Sequence, residues 1–285
     1  MKLISFDHEG RSSVGVLTSG GIVDLGRRLG VAGLKDLLTQ GLLPAARQAA
    51  TETPDLQLSA VRVTPVVPDP AHLYCVGVNY RDHLNEVRAA GVQRKEPEHA
   101  SLFIRFPETL VAADAPLLMP KVSDKLDYEA ELAVVIGKGG RYIAEQDALS
   151  HVAGYTCFND ASVRDWQHHS SQVTSGKNFM GTGGLGPWMV TADEIPDPQN
   201  LKIELRLNGT VMQSSNTRNM IFNVAAIVAY ASALVPLKPG DVIATGTPEG
   251  VGFSRTPPVF MKAGDVCEVE IEHIGVLRNR VEKAS

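Results

Sequence analysis

The sequence predicts a β-rich α+β chain of sandwich or roll type rather than alternating βαβ units. Three observations carry this. Short apolar or alternating runs recur along the chain, among them HLYCVGV, SLFIRF, TLVAA, EAELAVVIG, HVAGYTCF, GPWMVTA, KIELRLNG, DVIATG and DVCEVEIEHIGVL. The turns between them draw on 26 Gly and 17 Pro, which end strands and start turns. Helical spacing is confined to a few segments, near residues 34–50, 79–91, 161–169 and 221–234.

Taken in order, KLISF, SVGVLT and GIVDL are separated by DHEG and SGG and read as a small antiparallel meander. Residues 34–50 carry Leu and Ala at helical spacing, interrupted by Gly41 and Pro44. Pro65, Pro68 and Pro70 then mark a boundary between a small N-terminal α+β domain, residues 1–65, and a larger domain, residues 66–285. Beyond it HLYCVGV reads as a strand. The helix that follows has Asn79 as its N-cap and Gly91 as its C-terminal stop.

A chain of 285 residues with 44% hydrophobic and 21% charged residues is an ordinary packed protein with ample length for a core. The net charge of −5 and the absence of any Lys/Arg run exclude nucleic acid as the expected partner. No apolar stretch approaches the roughly 20 residues of a membrane span, and MKLISFDHEG lacks the apolar centre of a signal peptide, so a cytoplasmic location is expected. Cys75, Cys157 and Cys267 sit singly in strand-like sequence and read as reduced core residues.

The chemistry gathers in three places. In LDYEAELAVVIG the period of two puts Asp127, Glu129 and Glu131 on one face, and Glu131 enters a run that is apolar on both faces. Buried carboxylates that close together need a positive partner. In CFNDASVRDWQ, Asp160 closes an apolar strand, where it is either a helix N-cap or a third oxygen donor. Glu129, Glu131 and Asp160 together, with no nearby His or Cys, would select a hard cation such as Mg2+, Mn2+ or Ca2+. Arg164 and Gln167, three apart, share a helix face and are candidates to orient a substrate oxygen.

Thirdly, His83 and Glu86 are three apart, the spacing by which a carboxylate orients an imidazole base. Lys177 in SGKNF and Thr247 in ATGTPEGVGF lie in Gly-rich turns that allow close approach to a ligand. GTGGLG matches a dinucleotide fingerprint in form only, because Pro187 and a strand follow it. His168 and His169 have no further zinc-like partner and read as exposed.

In order, VGVNYRDHLNE, LDYEAELAVVIG, HVAGYTCFNDASVRDWQ, SGKNF, GPWMVTADEIPDP and LKPGDVIATGTPEGVGF closely resemble the fumarylacetoacetate hydrolase family, over roughly residues 66–280. The resemblance implies a mixed β-sandwich roll, usually a homodimer, with Mg2+ or Mn2+ held by Glu129, Glu131 and Asp160. It implies a lid-borne dyad of His83 and Glu86, and catalytic charge stabilisation by Lys177. It also implies substrate contacts from Tyr80, Arg164, Gln167, Gly246 and Thr247. Many members carry Arg where this chain has Val78, and HHSSQVTS lacks the aromatic residue common there. The implied substrate is an α-keto acid. The expected reaction is hydrolysis of a carbon-carbon bond in a 2,4-dioxo acid of the acylpyruvate type. Decarboxylation of oxaloacetate, or isomerisation of the hydroxymuconate type, through the same enolate is the alternative.

Overall fold

The computed structural model describes residues 1–91 and 95–285. Its centre is the strand Ala130–Ile136, buried at every position. Leu132, Val134 and Ile136 on one face pack into a core with Ile203, Leu205, Val269, Ile271 and Leu277. Ala133 and Val135 on the other face join Val16, Leu25, Leu34, Leu37 and Leu38. Apolar side chains on both faces of one strand are what a middle layer requires.

The main sheet runs Gly21–Asp24, Arg11–Thr18, Lys2–His8, Gly183–Thr191, Val152–Asp160, Ala130–Ile136, Val242–Ala244, Leu73–Val76, Leu102–Ile104. Against one face lies a five-stranded sheet, Thr210–Asn216, Lys202–Leu207, Val266–Ile271, Gly275–Lys283 and Leu117–Met119. The expected β-rich α+β sandwich is therefore the fold. The N-terminal meander continues the main sheet, with Lys2 opposite Val190 and Leu3 opposite Met189. The helices Leu34–Thr39 and Leu43–Ala49 are separated at Gly41, whose φ of 68° suits glycine.

Two local expectations are corrected. Asn79 does not cap its helix, Arg81–Ala89. Tyr80 occupies the cap position without a side-chain bond. The Asn79 amide instead donates to the carbonyls of Thr245 (2.7 Å) and Phe222 (3.0 Å) and accepts from the Phe222 N–H, which commits it to partners remote from the helix. The helix placed at residues 161–169 shrinks to one turn, Arg164–Gln167, because Ser162–Val163 pairs as a strand with Leu126–Asp127. Leu84 and Val87 of the first helix pack on Val78, and Gly91 follows with a φ of 90°. Cys75, Cys157 and Cys267 are free and buried.

Candidate active site

Glu131 stands opposite Phe158 in the pairing of Ala130–Ile136 with Val152–Asp160, which leaves Asp160 two residues along the same face. Glu129 falls in the break between Leu126–Asp127 and Ala130–Ile136, and its carbonyl accepts the Asp160 N–H at 2.9 Å. Oxygen atoms of Glu129, Glu131 and Asp160 lie within 4.8 Å of one another, and all three residues are buried. The acids read from the period of two thus converge. Asp127 turns away from them and accepts the backbone N–H groups of Gly252 (2.8 Å) and Phe253 (3.0 Å) and the Arg164 Nε (2.8 Å).

The cluster is an interlocked set of charges. Lys177 donates to Glu129 and Asp160 at 2.6 Å each, and Arg164 Nη2 lies 2.7 Å from Glu129. Arg105 donates to Asp160 at 2.5 Å and to Thr182 at 2.6 Å. Burial alone would raise the Glu129 pKa, but Lys177 and Arg164 outweigh it and hold that carboxyl well below its ordinary value. Burial likewise works against the Lys177 ammonium, and Asp160 and Glu129 reverse it, so its pKa is raised. Glu131 differs. Burial, then the charges of Asp160 and Glu129, push its pKa well above normal.

The Glu131 carboxylate accepts the Gly246 N–H at 2.8 Å and has no cationic ion-pair partner among the described residues. A deficit of positive charge beside three converging oxygen donors is the condition a divalent hard cation would satisfy, so the donor set fits one. Gly246 is required for this bond: its φ is 96°, and a Cβ there would lie 2.7 Å from the Asn79 Cβ and 2.9 Å from the Val76 carbonyl.

A cavity of about 310 Å³ opens over the cluster. His83, Glu129, Glu131, Asp160, Arg164, Gln167, Lys177 and Thr247 all line it. His83 Nδ1 lies 2.9 Å from Glu86, whose other oxygen accepts from Ser254 (2.6 Å) and the Gly250 N–H (2.9 Å). Burial opposes the Glu86 charge, but the bonds from His83, Ser254 and Gly250 prevail and lower its pKa. A carboxylate on Nδ1 places the proton there and leaves the Nε2 lone pair for chemistry.

Two of the residues read as substrate contacts are absent from the cavity wall. Gly246 lies behind Glu131, as described, and Tyr80 is wholly buried with an unpartnered hydroxyl. Burial, then the Glu131 and Glu249 charges, raise the Tyr80 pKa so that the phenol stays protonated. Sequence reasoning missed Arg105, Asp127 as an anchor, and Gln213. Gln213 donates to Thr247 (2.9 Å) and the Pro248 carbonyl (2.8 Å) while accepting the Ala130 N–H. Arg105 had a signal: it stands two residues after Phe103, on the same side of SLFIRF, and both face inward.

Comparison with known proteins gives the family. Residues 72–282 match the family described as fumarylacetoacetate (FAA) hydrolase C-terminal. The chain is 44% identical to a mitochondrial oxaloacetate tautomerase of Bos taurus, over 86% of this chain and 78% of that protein. It superposes on a fumarylacetoacetate hydrolase from Exiguobacterium antarcticum with a TM-score of 0.83, at 35% identity and full coverage of both chains. It also superposes on a Sphingobium maleylpyruvate hydrolase, solved with manganese(II) and pyruvate, with a TM-score of 0.82, 30% identity and full coverage of both. The expected cytoplasmic location is overturned by the first of these: a relative this similar is mitochondrial, and the composition of MKLISFDHEG does not assign a compartment. A profile match across 72–282, relatives above 40% identity and a superposition over the whole length establish that the chain belongs to the fumarylacetoacetate hydrolase family.

Proposed function

We propose that the chain interconverts the keto and enol forms of a short 2-oxo acid of the oxaloacetate class, using Mg2+ or Mn2+. The observation that carries the reading is the cavity's single oriented imidazole, His83, facing the same space as the Glu129, Glu131, Asp160 and Lys177 cluster. The 44% identity to an oxaloacetate tautomerase supports it. Glu129, Glu131 and Asp160 would hold the dication, which supplies Lewis-acid polarisation of the 2-oxo group.

His83 Nε2 takes a proton from C3 of the keto form. The C–H electron pair becomes the C2–C3 double bond, and negative charge collects on the C2 oxygen. Glu86 stabilises the imidazolium, and Ser254 and Gly250 hold Glu86 in place. Lys177, kept protonated by Glu129 and Asp160, lowers the energy of the charged C2 oxygen. The imidazolium then returns its proton to that oxygen, which completes the enol. The reverse sequence yields the ketone.

Hydrolysis of an acylpyruvate-type 2,4-dioxo acid is the second reading, favoured by the same His83–Glu86 pair, which suits activation of water. One experiment separates the two. Chelator-stripped protein with added Mn2+ is given enol oxaloacetate and, separately, an acylpyruvate. Tautomerisation is followed by ultraviolet absorbance and cleavage by released pyruvate. Faster ketonisation without acylpyruvate cleavage is expected. Cleavage with no effect on the enol would reverse the assignment.

A further inference from the structure

We infer that the cavity wall built around His168 receives the second carboxylate of a dicarboxylic 2-oxo acid, which makes the site selective for diacids. The inference rests on the proposed 2-oxo acid chemistry and adds what recognises the far end of the substrate.

The buried groups of the cluster set the requirement. With Glu131 ionised, as holding a cation requires, the buried acids Asp127, Glu129, Glu131 and Asp160 stand against the buried cations Arg105, Arg164 and Lys177, an excess of one negative charge. A dication converts that to an excess of one positive charge, which a single substrate carboxylate balances. A second carboxylate needs a donor of its own.

His168 is placed to be that donor. Among the described cavity-lining residues it is the one titratable side chain outside both the cluster and the His83–Glu86 pair. Its ring makes no hydrogen bond to the described residues. Its neighbour His169 leans on Trp166, with ring centroids 4.8 Å apart, so the two adjacent histidines have different surroundings.

The spacing also fits. His168 follows Arg164 by four residues across the one-turn helix, which puts it on the same side and about 6 Å further along the axis. Arg164 is buried against Glu129 and His168 is exposed, so the displacement runs from the carboxylates towards the mouth. The terminal carbons of a four-carbon diacid are about 4 Å apart. The wall is firmly seated. Residues Arg164–Gln167 and Thr174–Lys177, which carry the two cations, pack so closely that a Cβ on Gly176 would lie 2.6 Å from the Gln167 backbone. His168 belongs to the short link between them.

Calorimetry on the manganese-loaded protein tests this without turnover, using L-malate, an inert four-carbon diacid, and its C4 methyl ester. The wild type is expected to bind malate about ten-fold more tightly than the ester, the effect of one charge-assisted hydrogen bond. His168→Ala should abolish the preference while leaving ester affinity unchanged, and His168→Arg should restore it. Equal affinities in the wild type, a preference that survives His168→Ala, or no malate binding at all would overturn the inference. Failure of the tautomerase reading would show separately, as no acceleration of oxaloacetate ketonisation.

Discussion

Arg105 offers the sharpest test of how the charge cluster is built. It is 2% exposed, donates to Asp160 at 2.5 Å, to Thr182 at 2.6 Å and to the Ala161 carbonyl at 3.2 Å, and its Nε lies 3.3 Å from Thr109. Arg105→Met keeps much of the volume and removes every donor. Asp160 retains only Lys177, at 2.6 Å, a cation it shares with Glu129. Breaking one side of a buried pair costs about 3–5 kcal/mol because the remaining charge stays desolvated. Urea unfolding of the metal-free protein should show a loss of that size. Adding Mn2+ at about a hundred times its dissociation constant should recover up to about 2.7 kcal/mol by linkage. Asp160→Asn in the Arg105→Met background should cost less than the two single changes together, since the uncompensated charge is gone. A loss below about 1 kcal/mol, or strict additivity in the double variant, would refute the argument.

Three further outcomes follow from the same geometry. Gly246→Ala forces a Cβ to within 2.7 Å of the Asn79 Cβ at a φ of 96° and shifts the N–H that holds Glu131, so both the urea midpoint and Mn2+ affinity should fall, by calorimetry at least ten-fold. Glu131→Gln should leave the metal-free protein at least as stable, because burial and the Asp160 and Glu129 charges already disfavour the ionised carboxyl and the amide oxygen still accepts the Gly246 N–H, while Mn2+ affinity drops by about a hundred-fold or more. The Glu86 pKa is lowered on folding, so its contribution to stability is complete above the ordinary value of 4.5 and is lost as pH falls through the folded value. The Tm of the wild type should therefore decline more steeply than that of Glu86→Gln on the acid side of 4.5.

Much of the fold was legible because both of its periodicities are strong. Ala130–Ile136 is apolar on both faces and proves to be the middle strand, whereas KIELRL alternates and lies in the outer sheet with pattern eBiBiB. The strand Thr210–Asn216 went unread, since TVMQSSN is largely polar and only Gln213 is fully buried; its one cue was Asn208–Gly209, with φ of 53° and 80°, the signature of a tight hairpin. Leu117–Met119 is three residues long and pairs with Gly275–Lys283 across a large sequence separation, which no local pattern reports. Asn79 misled for a related reason. Its local context favours a cap, but contacts with Thr245 and Phe222, remote in sequence, claimed its amide.

The site divides along the same line. His83 and Glu86 were readable because they share one helix, and Glu129 and Glu131 because they stand two apart in one extended run, Glu129 just ahead of the strand that carries Glu131, so that local spacing decides whether the side chains meet. Arg105, Asp127 and Gln213 act across elements, and their partners are separated by 55, 37 and 34 residues. They hold the positions of Asp160, Arg164 and Thr247, so the geometry of the readable residues depends on ones that spacing does not reveal. The reaction is harder still to read, for a physical reason. Hydrolysis, decarboxylation and tautomerisation beside a 2-oxo group all develop enolate-like charge on one oxygen, so a single cluster of carboxylates, dication and ammonium would serve each of them. What distinguishes them is which proton or water His83 meets, and the cavity wall that bounds the space in front of it, Val78 and His168 included, is assembled from segments remote in sequence.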